Sequence, residues 1–464
     1  MSRRKQYKID MCSGPILSKM MLFAVPLMFS SILQLLFNAA DIVVVGRFAG
    51  DNSMAAVGSV ASLVNLLVNF FMGLSGGANV MAARYFAAKN DGELSKTVHT
   101  SVLISFIGGA ILTIVGVFFS RPLLVLMNSP PDIIDLAALY LKIFFIGMPA
   151  NLAYNFGSAL LRAVGDTRRP LYYLSFAGVV NVILNLIFVI KFQMGVAGVA
   201  IATVVSQCIS AFLVLRCLTK ETGGMQLYLS KLKIDVQKLI QIMKVGLPAS
   251  FQGILFSLSN VVIQSTVNGF GEVVVAGASA SSNIENFVYV SMNSVYQATI
   301  SFCSQNAGVG NFKRVRRVTT IGAVYTAVVG FVLGMLCIWQ GKNLIGIYST
   351  SPNVIDMGYE RLSLMMTTYF LCGIMDTMVG ALRGIGYSMQ PMIVSLIGVC
   401  GLRLAWIATI VQIPQFHTIR MVYMSYPVTW IITLIAHLIC FRWAIKRAEL
   451  LYGMTHPNLS ESAT

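Results

Sequence analysis

Long apolar runs separated by short polar breaks fill the chain, and the first of them, residues 16–45, sets the pattern. As an α-helix its 30 residues would span about 45 Å, against about 30 Å for the hydrocarbon of a bilayer. Such a helix must tilt or bend. Pro26 predicts the bend, because its ring displaces the carbonyl one turn back and it has no N–H to donate. Gln34, Asn38 and Asp41 follow at spacings of four and three, which puts them on one face of the rod. A carboxylate inside a membrane helix is costly and ordinarily faces protein or a wet cavity. Asp41 is therefore a candidate functional residue, with Gln34 and Asn38 as candidate lining of the same cavity. The alternative is an Asp41 solvated at the outer interface beside Arg47.

Further apolar runs lie at about 53–80, 98–119, 135–158, 170–190, 196–217, 239–265, 273–300, 318–338, 357–380, 391–412 and 422–442, so twelve spans are expected. The polar stretch 218–238 reads as a linker between halves 16–217 and 239–442, with tails at 1–15 and 443–464. The halves repeat. Leu161-Arg162-Ala163-Val164-Gly165 with Pro170 returns 221 residues later as Leu382-Arg383-Gly384-Ile385-Gly386 with Pro391, and Pro26 and Asn38 return 222 residues later as Pro248 and Asn260. An internal duplication with a unit of six spans follows. Six is even, so both halves enter the membrane in the same orientation, related by an axis along its normal with a path between them. Arg162 and Arg383 then have structural parts: each ends a span, the glycine turns the chain, and the proline starts the next span where its missing N–H costs nothing.

Composition fixes the class. Of 464 residues 56% are apolar and 11% charged, where a soluble chain carries about a quarter charged. This describes an all-α polytopic membrane protein. The net charge of +16 would suggest nucleic acid in a soluble domain. Here the basic residues gather in loops on the side of the N-terminus, and the opposite side holds Arg47, Arg121, Lys142, Lys191, Lys342, Arg361 and Arg420. That bias places both termini in the cytoplasm and removes the nucleic-acid reading. The eight cysteines show no C-x-x-C and read as small core residues rather than disulfide or metal positions. The basic start, Arg3, Arg4, Lys5 and Lys8, mimics a signal peptide. The following run is too long for one and lacks a small-residue cleavage site, so an uncleaved first span is expected.

Four charges fall inside the expected spans: Asp41, Glu285, Asp376 and Arg403. Arg403 lies twelve residues after Pro391, roughly 18 Å into its helix and too deep to snorkel. Its guanidinium cannot shed a proton, so a partner is required. Glu285 is the favoured partner, because both residues fall near the middle of their spans; it would otherwise meet a cationic ligand together with Asn286, Tyr289 and Asn293. Asp376 lies seven residues before Arg383 on the same face. Asn260, the repeat counterpart of Asn38, Gln264, Glu285 and Asp376 complete the candidate cavity set. His437 is assigned to packing. No Walker loop, zincin helix or nucleophile elbow is present, and the four histidines are scattered, so no enzymatic activity and no cofactor are expected. Without a Walker loop, transport by this chain would run on ion gradients.

The chain resembles the multidrug and toxic compound extrusion (MATE) family. The residues that carry the resemblance are N-A-A-D-I-V-V-V-G (38–46), A-L-L-R-A-V-G-D-T-R-R-P (159–170), N-V-I-L-N (181–185), G-V-A-G-V-A-I-A-T (195–203) and A-L-R-G (381–384). It implies two six-helix lobes around a V-shaped cavity, alternating access, and export of cationic or amphipathic compounds against protons or sodium ions by a monomer in the plasma (inner) membrane. By position it implies an ion-coupling cluster of Asp41, Asn181, Asn185 and Thr203, with Asn155 a looser fit. Two positions depart from the pattern. Many relatives carry aspartate where Asn185 stands, and others bind the coupling ion through an acid on the seventh span, where this chain has none and Ile263 occupies the repeat position of Asp41. Proton coupling through Asp41 is therefore expected over sodium, with Na+ near Asp41 as the alternative. A flippase for lipid-linked saccharides is the alternative function; it would need a strongly cationic cavity.

Overall fold

The computed structural model describes residues 7–127 and 129–455, and they are almost entirely helical. In chain order the helices are α1 (Ile16–Phe48), α2 (Asp51–Ala87), α3 (Asp91–Leu126), α4 (Pro131–Ile146), α5 (Met148–Ala163), α6 (Arg168–Leu186), α7 (Gly195–Thr219), α8 (Val236–Asn268), α9 (Glu272–Gly308), α10 (Phe312–Trp339), the short α11 (Gly341–Gly346), α12 (Pro352–Gly384), α13 (Met389–Ser395), α14 (Leu402–Thr409) and α15 (Ile419–Thr455). Among the described residues ten helical stretches are long and apolar enough to cross a membrane, eleven if the pair α4 and α5, bent by 49° at Gly147, is one span. The twelfth expected span is α9. At 37 residues it is long enough, but its serines, asparagines and Glu285 make it too polar to meet the same standard. The chain is a multi-pass membrane protein.

The chain divides into two compact units, Met1–Asp10 with Phe29–Gly246, and Met11–Met28 with Leu247–Thr464. One division lies between Asp10 and Met11, before α1, and the other two fall inside α1 and α8, beside Pro26 and Pro248; none falls in 218–238. The 218–238 stretch packs within the first unit. Tyr228 N–H donates to His99 Nε2 at 3.1 Å, and Asp235 N–H to the Thr100 hydroxyl at 3.0 Å. Lys238 pairs with Glu93 and donates to the Tyr85 hydroxyl at 2.6 Å. The first turns of α8 follow because Gly246 and Gly77 lie with their Cα atoms against the backbones of α2 and α8, where any side chain would collide.

In the first unit glycines set the helix spacing. Gly109 and Gly116 on α3 meet Pro149 and the Phe145 ring, and Gly178 on α6 meets the Phe37 ring. The turn after α5 holds Gly165 at φ +89°, with its Cα against the backbone of Ile9. In the second unit Gly386 takes the same left-handed conformation, φ +91°, after α12. Both repeats thus turn on a glycine for the reason the sequence suggests. Gly277 of α9 and Gly358 of α12 bring two backbones into direct contact, while Phe23 and Phe302 stack edge to face at 5.9 Å. One π-helical turn follows α6 at Ile187–Lys191, and another, Leu396–Gly401, separates α13 from α14.

Candidate functional site

The first unit carries a chain of polar side chains on α1, α6 and α7. Asp41, seven residues before the end of α1, accepts a hydrogen bond from Asn185 Nδ2. The same amide nitrogen donates to Asn181 Oδ1 at 3.3 Å, one helical turn back. Asn181 Nδ2 donates to the Thr203 hydroxyl at 3.4 Å, and that hydroxyl donates to the Val199 carbonyl at 2.9 Å. Asn181 and Asn185 are buried, Asn185 completely, while Asp41 is half-buried. Asn185 gives both of its N–H groups away, and its Oδ1 is buried without a hydrogen-bond donor among the described residues. Asn185 lies two residues before the π-helical turn, a distortion common at functional sites.

The four residues that the resemblance groups by position are therefore joined in one network. Asn155 is not: its side chain folds back on its own helix, donating to the carbonyl and side-chain oxygens of Asn151, each at 2.9 Å. Gln34 and Asn38 on α1 are exposed, as are Asn260 and Gln264 on α8, where Gln264 donates to Asn268 at 2.9 Å.

The second unit corrects the expected pairing of Arg403 with Glu285. The Glu285 carboxylate is clasped by Arg361, Nε to Oε1 at 3.0 Å and Nη2 to Oε2 at 3.2 Å, and it accepts the Ser281 hydroxyl at 2.7 Å. The sequence counts Arg361 among the basic residues of the outer side. It lies nine residues inside α12 and is 7% exposed, with the Tyr423 ring 5.2 Å below its guanidinium. The depth argument applied to Arg403 finds it once the helix is started at Pro352. Arg403, 3% exposed, is compensated differently: its guanidinium lies 3.9 Å from the centroid of the Tyr426 ring and donates to the Thr429 hydroxyl at 3.2 Å. A cation over an aromatic face needs no carboxylate.

Asp376 is half-buried in α12 and makes no hydrogen bond or ion pair among the described residues. Arg383, one of the two loop arginines, donates to the Tyr296 hydroxyl and to Gln252 Oε1, the latter at 2.7 Å. It ties the end of α12 to α9 and to α8 just beyond Pro248. Arg162, its repeat counterpart, is half-buried beside Ala163 and Val164. His437 is fully buried and its Nε2 lies 3.0 Å from the Ser395 hydroxyl, an interior bond that agrees with the packing assignment.

A second group of charges lies at the end of the first unit where α6 begins. Arg169 pairs with Asp166 and, at 2.6 Å, with Glu221, whose other oxygen takes Lys8 at 2.7 Å. Burial pushes the Asp166 carboxyl up, and the neighbouring Arg169 only partly offsets it. Burial raises Glu221 too, but Lys8 and Arg169 outweigh it, so that carboxyl is held below its ordinary range. This group shows no link in sequence to the Asp41 network, and its members cannot be matched to one another without the fold.

Comparison with known proteins agrees with the duplication. The MatE family model matches twice, over residues 26–187 and 248–408. The "Probable multidrug resistance protein YoeA" of Bacillus subtilis is 27% identical over 93% of this chain and 94% of its own length, and the "Probable multidrug resistance protein NorM" of Thermotoga maritima 26% identical over 82% of each. A solved transporter of the MOP superfamily from Pyrococcus furiosus superposes with a TM-score of 0.88 at 20% identity, covering 95% of this chain and 98% of that one. With both halves of the chain matched by one model and the order of motifs kept across the repeat, the protein belongs to the MatE family, the multidrug and toxic compound extrusion transporters.

Proposed function

We propose that this protein is a secondary active antiporter that exports cationic or amphipathic compounds in exchange for protons by alternating access, with both termini in the cytoplasm and with Asp41 as the proton carrier. The names of its curated relatives support export of drugs. The observation that carries the proton assignment is the Asn185 amide. It donates to Asp41 while its own oxygen stays buried and unanswered. An ionised Asp41 needs the N–H it now receives, and a protonated Asp41 would carry an O–H that the Asn185 oxygen can accept once the amide turns over. One side chain can thus serve both protonation states.

Desolvation of this pocket favours the neutral acid, and an entering cation favours the carboxylate. Proton and cationic substrate then compete for Asp41, which is the coupling that antiport requires. Pro26 gives α1 the freedom to bend between the two states. Glu285 is a poorer candidate for this part, because both of its carboxylate oxygens are already taken by Arg361. A saccharide-lipid flippase would need free cations for pyrophosphate, whereas Arg361 is neutralised by Glu285 and Arg403 lies against Tyr426.

Ethidium efflux and acid-quench measurements in vesicles under separate proton and sodium gradients test the proposal. Asp41→Asn should abolish efflux driven by a pH gradient while the protein still folds. Retention of that efflux in the variant would overturn the assignment.

A further inference from the structure

Outside the polar cluster, the feature of the first unit with most unspent chemistry is a basic cavity of about 310 Å3 at the end where α3 and α8 begin. That is about ten times the share of volume a water takes in the liquid, room for a headgroup rather than a single ion. Ser95, Lys96 and His99 of α3 line one side, and Lys231, Lys233 and Asp235 of the segment before α8 line the other. We propose that this cavity binds the phosphate headgroup of an anionic phospholipid.

The wall is held in place before any ligand arrives. Tyr228 N–H can only donate, so His99 Nε2 accepts from it at 3.1 Å, and the ring proton on Nδ1 goes to the Ser95 carbonyl at 2.7 Å. The His99 and Tyr228 rings lie parallel, 6.4 Å apart. Seven residues on, Asp235 N–H donates to Thr100, the neighbour of His99. The segment carrying Lys231 and Lys233 is therefore pinned to α3 at both ends, and its lysines project from a fixed bracket.

Two of the three lining lysines, Lys231 and Lys233, are not neutralised from within. Lys96 pairs with Glu93 at 2.8 Å, but Glu93 is shared with Lys238. Lys231 lies 4.8 Å over the Tyr228 ring, and Lys233 has no acidic partner among the described residues. Asp235 is engaged in capping α8, where its Oδ1 accepts the Lys238 N–H at 3.0 Å. Lys231 and Lys233 thus have no carboxylate of their own: Glu93 is taken by Lys96 and Lys238, and Asp235 is committed to a helix end.

The apolar surroundings select a lipid over a free anion. Leu229 and Val236, at either end of the lysine segment, are 68% and 64% exposed, and Ile240 one turn further along α8 is 48% exposed. Basic side chains beside outward-facing aliphatic ones form an interfacial arrangement: phosphate against the lysines, acyl chains along α8. A soluble phosphate would leave that apolar strip unused. The site does not depend on the transported compound or the coupling ion.

The test is a titration of the full chain in detergent, read by native mass spectrometry, with phosphatidylglycerol, phosphatidylcholine and inorganic phosphate as separate probes. Wild-type protein should retain phosphatidylglycerol in preference to phosphatidylcholine. Lys231→Gln with Lys233→Gln should weaken that binding by about fivefold for each lysine removed, the worth of one basic side chain at an anionic surface. Both lysines are exposed and the variant should elute as folded protein. Lys446→Gln in the second unit should change nothing. Unchanged phosphatidylglycerol binding in the double variant, or an equal loss with Lys446→Gln, would overturn the site. Equal retention of inorganic phosphate would show a free-anion site and overturn the lipid assignment.

Discussion

Arg361 and Glu285 meet through two parallel hydrogen bonds in the interior of the second unit, joining α12 to α9. A bidentate guanidinium–carboxylate pair is the strongest form of ion pair a protein makes, and its value depends on both partners being present. Arg361→Leu alone strands a buried carboxylate and should destabilise the protein by about 3–5 kcal/mol. Adding Glu285→Leu should restore much of the loss, since two apolar groups replace a desolvated pair. Arg403→Leu combined with Glu285→Leu should show no such rescue. Thermal unfolding in detergent separates the cases, and rescue by the Arg403 combination would contradict the pairing.

The contrast with Arg403 shows where the sequence is readable. Depth in a helix can be counted from a proline, so the burial of Arg403 is legible twelve residues after Pro391. The nature of its compensation is not, because Tyr426 and Thr429 are on α15 and nothing in the spacing brings them together. Arg361 escaped because the expected span began at residue 357, which made the arginine a terminal charge. In the structure α12 starts at Pro352, and the arginine is inside. The duplication, by contrast, is written in repeated local signals, an arginine, a glycine that must adopt positive φ, and a proline, and each acts through backbone geometry alone. The bounds of the two compact units are less legible in the sequence. Polar composition marks 218–238 as solvated, but its hydrogen bonds to α3 bind it into the first unit, and the boundary between the units lies further on, inside α8 beside Pro248.

On the proposed function, Asn185 is the residue expected to separate proton from sodium coupling. It is neutral where a carboxylate would add a second negative charge beside Asp41, and a hard cation such as sodium prefers anionic oxygens. Asn185→Asp should make transport respond to a sodium gradient at fixed pH, with the wild type responding to pH alone. The amide N–H now given to Asp41 would be lost, so the two carboxylates would compete for one proton or one cation. Wild-type efflux that already follows sodium at constant pH would refute this reading.

The charges around Glu221 give a pH dependence with opposing limbs. Glu221 is held ionised by Lys8 and Arg169, and its pKa is lowered in the folded state from its ordinary 4.5. A lowered carboxylate contributes stability that is present above its unfolded value and lost as pH falls through the folded one. Asp166 runs the other way. Its pKa is raised by burial from 3.8, so the folded state binds its proton more tightly and acidification through that raised value is stabilising. Wild-type thermal stability in detergent, followed from neutral pH to about pH 3, should therefore lose its Glu221 contribution only in the most acidic part of the range. Glu221→Gln should be less stable than wild type at neutral pH, with the gap closing as pH falls below 4.5. Asp166→Asn should remove the stabilising limb and leave the loss at low pH. If the gap between wild type and Glu221→Gln stays constant across the titration, the Lys8–Glu221–Arg169 pairing does not operate in the folded protein.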